Sequence, residues 1–390
     1  MTIESNLNPL VTQVQPSPIR VFDGLISNIP GIIKLTLGEP DFPSPDAAKV
    51  AAISGIEDNQ TKYAPSPGTP DLLENISDFL KRRYDLDYPS NQISVTVGAT
   101  EALASAFLTI LQPGDKVIVP NPMFSLYDSI IKIQGGEPIH IDTSENGFIL
   151  SPEMIQEAVD ANDGQVKAVL LNYPTNPTGV TWTYDEAKAI ADVCRKNDLL
   201  VVSDEVYSEF VYEGEHVSMA TLLPELTLLV NGVSKSHSMT GWRIGFLAGP
   251  EEIMKYVAVG HQSLVTTAST VSQIAASAAL ETGDDYIVEM REAFKERRDY
   301  FYNALTSVGF TIKNPNGAFY MFAGIPEDLN QDSFQFAVDL AENAKVAGVP
   351  GTAFGIGGEN FIRFSYAASL DEIKEASDRI VNYVHSLRNK

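Results

Sequence analysis

The chain has 390 residues, of which 44% are hydrophobic, enough for a large core and more than one domain, since single cores stop growing near roughly 250–300 residues. With 27 basic against 51 acidic residues the formal charge is −24, which argues against a general affinity for nucleic acid or anionic membrane. Any anion bound by this chain must therefore be held at a local cationic site.

The N-terminal "MTIESNLNPLVTQVQPSPIR" has no basic head followed by an apolar stretch, so it does not read as a secretory signal. No apolar run approaches the roughly 18–20 residues that cross a bilayer, and a cytoplasmic protein is expected. From about residue 90 to 250, strand-like and helix-like segments alternate. "QISVTVG" (92–98) leads into the helical "ATEALASAFLTILQ", and "DKVIVP" (115–120) into "MFSLYDSIIKIQGG". "QVKAVLLNYP" (165–174) precedes the helical "TYDEAKAIADVCRKN". Three more strand-like runs follow: "LLVVSDEVY" (199–207), "TLLVNGVS" (227–234) and "WRIGFLAGP" (242–250). This rhythm predicts an α/β domain with a mainly parallel sheet flanked by helices, whose ligand site lies at the carboxyl ends of the strands. "YIVEMREAFKERRDYFYNALTSVG" predicts one long amphipathic helix. Beyond it "FTIKNPNGAFYMFAG", a helix over about 332–347, "FIRFSYA" (361–367) and a last helix suggest a smaller α+β domain. The expected division is 41–285 for the large domain, with 1–40 and 286–390 forming the small one.

Most of the chemistry-bearing residues fall just after the strands. Gly98, Ala99 and Thr100 stand at a strand-to-helix turn, where free amides and the helix dipole favour an anion, although an ordinary helix start would read the same. "NYPTNPTG" (172–179) reads as a surface turn, or as a loop whose Asn176 donates to a ligand. Asp204 ends a buried strand, where a carboxylate is costly without a partner, and Tyr207 follows three residues on. Lys235 sits in "GVSKSHSMTGWRIG", a segment almost free of other charges except Arg243, eight positions later. A desolvated lysine next to another cation has a lowered pKa and can condense with a carbonyl, while an arginine fork suits a phosphate. The single cysteine, Cys194, lies on a helix and reads as a small buried apolar residue rather than a nucleophile. His237 and His261 read as structural, and the five histidines suggest no metal site.

These residues resemble the pyridoxal-phosphate-dependent aminotransferases of fold type I, class I/II. The "GVSKSHSMTGWRIG" segment carries the family's lysine and its arginine eight residues later, and landmarks follow in family order from "LTLGEPDFPSP" to "FIRFSYA". The resemblance implies pyridoxal phosphate as cofactor, with Lys235 bonded to its carbonyl and moving the substrate proton. It implies Asp204 at the ring nitrogen, Tyr207 and Asn176 at the phenolic oxygen, and Phe124 stacked on the ring. Gly98, Ala99, Thr100, Ser234 and Arg243 correspond to the phosphate cup. Tyr63 resembles the tyrosine that reaches the phosphate of a neighbouring subunit, which implies a homodimer. Arg363 and Gly38 correspond to the residues that meet the substrate α-carboxylate. Gly232 departs from a serine found in many members, which removes one phosphate hydroxyl. Thr100 and "GHQSLVTTAST" (260–270) supply no second cation for a distal carboxylate, so dicarboxylate specificity would need a cation from elsewhere in the chain. The subgroup resembled includes N-acetyl-diaminopimelate and aromatic aminotransferases, and 2-oxoglutarate with glutamate is the expected second pair. A carbon–sulfur β-lyase on the same site and a non-catalytic regulator that binds the cofactor are the alternatives. The fold begins within about 20–35 residues of the start, and that leaves no DNA-binding module in view.

Overall fold

A computed structural model describes residues 3–389. In chain order the strands begin with β1 (Ile33–Lys34), which follows the helix Pro18–Ile26. Then come β2 (Ile93–Thr96), β3 (Lys116–Asn121), β4 (Glu137–Asp142), β5 (Val166–Leu171), β6 (Leu200–Asp204), β7 (Thr227–Gly232) and β8 (Gly245–Ala248). These seven form one sheet in the order β2-β8-β7-β6-β5-β3-β4. Every pairing in it is parallel except the two made by β8.

The sequence pattern explains why this sheet lies in the interior. All six residues of β7 are buried, and so are most of β5 and β6, as expected of strands covered on both faces. Successive side chains alternate between two cores. Val201 faces Ile190, Ala191 and Cys194 of the helix Tyr184–Lys196, whereas Val202 faces Ala102, Ala106 and Phe107 of the helix Gly98–Ile110. Thr183 caps the former helix through a reciprocal bond pair with Glu186. The Cys194 thiol is fully buried and pushed up to about 12 by that burial, so it is an inert packing residue.

The second body is built on β9 (Thr311–Ile312), β10 (Tyr320–Gly324), β11 (Val346–Ala347), β12 (Val349–Pro350) and β13 (Phe361–Ser365). Four of these form an antiparallel sheet in the order β12-β13-β10-β9, while β11 pairs in parallel with β1. The long helix Asp284–Ser307 buries Phe294, Phe301 and Leu305 in the same core as Met321 and Phe364. The expected helix over 332–347 ends early. It passes from Ser333–Asp339 into one wide turn, Leu340–Ala344, and stops at Lys345, whose left-handed backbone turns the chain into β11. Two strand boundaries also move. The run 242–250 is extended only over β8, because Thr240–Trp242 form a tight helical turn and Arg243 takes φ 56°. The run 227–234 ends at Gly232, and Lys235 lies on the single helical turn Val233–Ser236 that follows.

Candidate active site

Between the carboxyl ends of the parallel strands and the face of β13 lies a cavity of about 400 Å3. Gly38, Ala99, Thr100, Phe124, Asn176, Asp204, Tyr207, Ser234, Lys235, Arg243 and Arg363 all line it. Two of the expected residues do not. Tyr63 is 89% exposed and lies off this cavity. Gly98 stands behind the lining at φ 72°, and a Cβ there would press on the Arg243 guanidinium, 2.9 Å from its Cζ. Its bareness lets Arg243 lie against the start of the helix Gly98–Ile110.

Each polar group reaches the cavity through its element. β6 delivers Asp204, which is 5% exposed. Its Oδ2 accepts from the Tyr127 hydroxyl at 2.8 Å and its Oδ1 from the Val206 amide at 3.3 Å. Burial pushes the carboxyl up to about 6, while the Tyr127 and Val206 bonds pull it back. Lys235 is partly buried, and its Nζ donates to the Gly38 carbonyl at 2.7 Å. Burial lowers its pKa to about 8; Glu39 and Asp204 oppose that, and Arg243 and Arg363 reinforce it. At neutral pH a useful fraction of this amine is unprotonated.

The helix Gly98–Ile110 starts without a side-chain cap, so the amides of Ala99 and Thr100 open toward the cavity beside Ser234 and Arg243. Arg243 is exposed and donates to the Thr240 carbonyl at 2.9 Å.

Arg363 is 2% exposed. Its guanidinium lies 4.5 Å from the Tyr320 ring centroid and 4.8 Å from that of Phe354. Nη1 donates to Asn176 Oδ1 at 2.9 Å, Nη2 donates to the Thr36 carbonyl at 2.5 Å, and Nε has no partner. Among the described residues no carboxylate pairs with it, so a buried cation meets only neutral acceptors. Tyr320 in turn shares a 2.7 Å hydroxyl contact with Tyr207.

Thr36, Tyr127 and Tyr320 were not singled out from the sequence. Tyr127 had a weak signal, standing three residues beyond Phe124 at a helix start. Tyr320 had none, because its place is set by β10 pairing with β13, where it lies diagonal to Arg363. His261 bridges Glu101 at 3.1 Å and the Ser66 carbonyl at 2.9 Å, and His237 meets Ser236 Oγ at 2.8 Å; neither lines the cavity. Gly232 points away from the cavity toward β8. A Cβ there would lie 2.8 Å from the Ile244 carbonyl oxygen and 2.7 Å from Gly245 Cα.

A lysine, an arginine pair and a buried carboxylate at the strand ends are the landmarks the sequence had put in family order, and comparison with known proteins agrees. Residues 30–380 match the family described as aminotransferase class I and II. The chain belongs to that family. Among its relatives, a probable N-acetyl-LL-diaminopimelate aminotransferase of Bacillus subtilis is 42% identical, covering 98% of this chain and 96% of the relative. An aspartate aminotransferase of Geobacillus stearothermophilus is 40% identical, covering 91% and 92%. The aspartate aminotransferase of Thermus thermophilus, solved with maleate, superposes with a TM-score of 0.91 at 35% identity over 96% of this chain and 99% of that one. This aminotransferase is therefore an enzyme of the transaminase class, with the fold type I architecture, and members of the family use pyridoxal phosphate. Among the described residues no helix of the aminotransferase is long and apolar enough to cross a membrane.

Proposed function

We propose that this aminotransferase holds pyridoxal phosphate in the 400 Å3 cavity and moves an amino group between an amino acid and a 2-oxo acid by a ping-pong cycle. The observation that carries the reading is Arg363, a buried guanidinium with an open Nε and, among the described residues, no carboxylate partner. A buried cation that meets only neutral acceptors is stabilised by a ligand that brings an anion, and an α-carboxylate matches its fork.

The residues present fit the cofactor from end to end. Arg243, Ser234 and the amides of Ala99 and Thr100 would hold its phosphate, with Gly98 leaving room for the arginine. Asp204 would hold a proton on the ring nitrogen, Phe124 would cover one ring face, and Asn176 and Tyr207 would donate to the phenolic oxygen. The Asn176 amide is suited to that, because its Oδ1 is already turned to Arg363. When bound, the cofactor supplies an electron sink for the pair released at the substrate Cα. Lys235 Nζ removes the Cα proton, for which its lowered pKa suits it. Arg363 and Gly38 orient the substrate so that this bond faces the lysine.

For the substrates, glutamate with 2-oxoglutarate forms one pair and N-acetyl-diaminopimelate or an aromatic amino acid the other. The name of the 42% identical relative supports the first of these donors, and the apolar wall of Ile19, Leu37, Leu103, Phe124 and Leu126 supports the second. A cytoplasmic homodimer belongs to the same reading, with Tyr63 reaching the partner's phosphate. Exposed apolar side chains at Tyr63, Leu108, Tyr256, Val259 and Leu264 support such an interface. A division into 41–285 against 1–40 with 286–390 belongs to the same reading, with Arg363 on the part that closes over the substrate.

The test is a panel of amino acids with 2-oxoglutarate, following glutamate formation by the purified enzyme and by Lys235→Ala. Glutamate formation with at least one donor, lost in the variant, is expected. No glutamate from any donor, or a Lys235→Ala enzyme with undiminished rates, would overturn the assignment.

A further inference from the structure

His261 stands outside the cavity, and the reading above gives it no task. It lies on the helix Glu251–Val265, and its side chain is fully buried. Its Nδ1 is 3.1 Å from both carboxylate oxygens of Glu101, and its Nε2 is 2.9 Å from the Ser66 carbonyl oxygen.

Hydrogen-bond accounting fixes the charge of this ring. A carbonyl only accepts, so Nε2 must carry a proton. Glu101 is itself surrounded by donors: Oε2 accepts from the Val97 amide at 3.0 Å and Oε1 from Ser105 Oγ at 2.5 Å. A carboxylate so placed is ionised, and Nδ1 must donate to it as well. Both ring nitrogens therefore carry protons, and His261 is a buried imidazolium. Burial pulls its pKa down, but the bond to Glu101, the Glu101 charge and the Ser66 bond together hold it above the ordinary 6.5. Among the described residues no other charged side chain acts on the ring from its own helix, from the helix Gly98–Ile110 or from the segment around Ser66.

Glu101 connects this charge to the residues proposed to hold the phosphate. It follows Thr100 directly in the first turn of the helix Gly98–Ile110 and reaches back to the amide of Val97, the residue before that helix. It thus braces the turn that presents the Ala99 and Thr100 amides, as the acidic residue of a capping box does. Alone it is a poor neighbour for a phosphate, because a second anion at the same helix end competes for the same amides and dipole. A cation on the far side of the carboxylate removes that conflict.

We propose that His261 is a positioning residue for the phosphate cup: as an imidazolium it holds Glu101 on the Val97 amide and cancels its charge, so that phosphate is bound more weakly once the ring loses its proton. A neutral ring keeps only one N–H. Either Nδ1 then turns a lone pair to the carboxylate or Nε2 turns one to the Ser66 carbonyl, and the Glu101 charge is left uncompensated. Since the folded pKa is raised, the tight-binding form is present at and below 6.5 and is lost as the pH rises past the raised value. This rests on the reading that Ala99, Thr100, Ser234 and Arg243 hold the cofactor phosphate.

The experiment measures the dissociation constant of pyridoxal phosphate, by equilibrium dialysis of the loaded enzyme at pH 6.5 and 9.5, for wild type, His261→Gln, Glu101→Gln and the double variant. Lys235 is common to all four, so its own titration cancels in their ratios. His261→Gln should weaken binding about 5–20-fold at pH 6.5 and less than about twofold at pH 9.5, as for loss of one charged hydrogen bond partly transmitted to the cup. On the Glu101→Gln background the same change should cost less than about twofold at either pH. Equal losses at both pH values, as packing alone would give, or no loss at pH 6.5, would overturn the His261 assignment and leave the cup in place. Ring-labelled histidine NMR gives a reading that needs no folded His261 variant. One of the five histidine signals should titrate above 6.5 in wild type and below it in Glu101→Gln. Five signals with unchanged titrations would sink the ionic pair. Wild-type protein that binds no pyridoxal phosphate would overturn the cup reading and this proposal with it.

Discussion

The Tyr127 hydroxyl donates to Asp204 Oδ2 at 2.8 Å, and among the described residues no lysine or arginine forms an ion pair with that carboxylate. A buried acid whose pKa is pushed up to about 6 thus depends chiefly on a phenol and one backbone amide, aided by the Lys235 charge, to remain ionised near neutral pH. Tyr127→Phe removes the larger of these aids. Because the bond favours the charged form, its loss moves the pKa further up. The acidic limb of the kcat/KM–pH profile should shift upward by about one unit, with roughly fivefold lower activity at pH 6 and near-normal activity at pH 9. An acidic limb that stays in place would show that Asp204 is held in its charge state by something else.

The cofactor-free protein should be least stable near neutral pH. Asp204 has a folded pKa raised from 3.8 to about 6, so between those values the folded state binds more protons and stability falls as pH rises. Lys235 has a folded pKa lowered from 10.5 to about 8, so between 8 and 10.5 the unfolded state binds more protons and stability rises. Denaturant melts across pH should therefore show a trough from about 6 to 8. Asp204→Asn should fill the acidic side of it, by up to about 3 kcal/mol, while lowering activity. A flat profile in that window would contradict the burial of the pair.

Arg363→Lys keeps the charge but loses the planar fork stacked on Tyr320 and bonded to Asn176 and Thr36. KM for every amino acid should rise roughly 10–100-fold, without regard to its side chain. A rise confined to one class of donor would assign Arg363 to the side chain instead.

Gly232→Ser adds the hydroxyl that the family resemblance implied near the phosphate, yet its Cβ would meet the Ile244 oxygen and Gly245 Cα. Separating the strands should cost about 1–3 kcal/mol, read from urea unfolding, with no gain in cofactor affinity. Tighter cofactor binding at unchanged stability would mean that the backbone here yields easily.

The residues that could be read from the sequence are those whose chemistry is out of keeping with their neighbours. Lys235 and Asp204 stood out as charges in apolar surroundings, and Arg243 by its spacing from the lysine. Tyr127 and Tyr320 did not, because an aromatic residue beside a buried strand is an ordinary core residue until pairing brings a polar group against it. The sheet's rhythm showed in its short aliphatic runs, but the direction of β8 did not, since a reversed strand has the same pattern. "EPIHID", the edge strand β4, was missed; its proline and partly exposed side chains lack the buried-strand signature. His261 was passed over for the opposite reason. A lone histidine on a helix is normally a packing or surface residue, and only the fold sets an acceptor against each ring nitrogen.

The helix Pro18–Ile26 belongs to neither large sheet, and its exposed face carries few packing obligations. The groups proposed to act on every amino acid are mostly wedged between buried strands, where a change such as Gly232→Ser disturbs two backbones at once. That helix is anchored on its inner face, where Ile19, Phe22 and Ile26 are buried. Changes on its solvent face should therefore leave the buried strands undisturbed, whereas changes at Ile19, Phe22 or Ile26 reach the core.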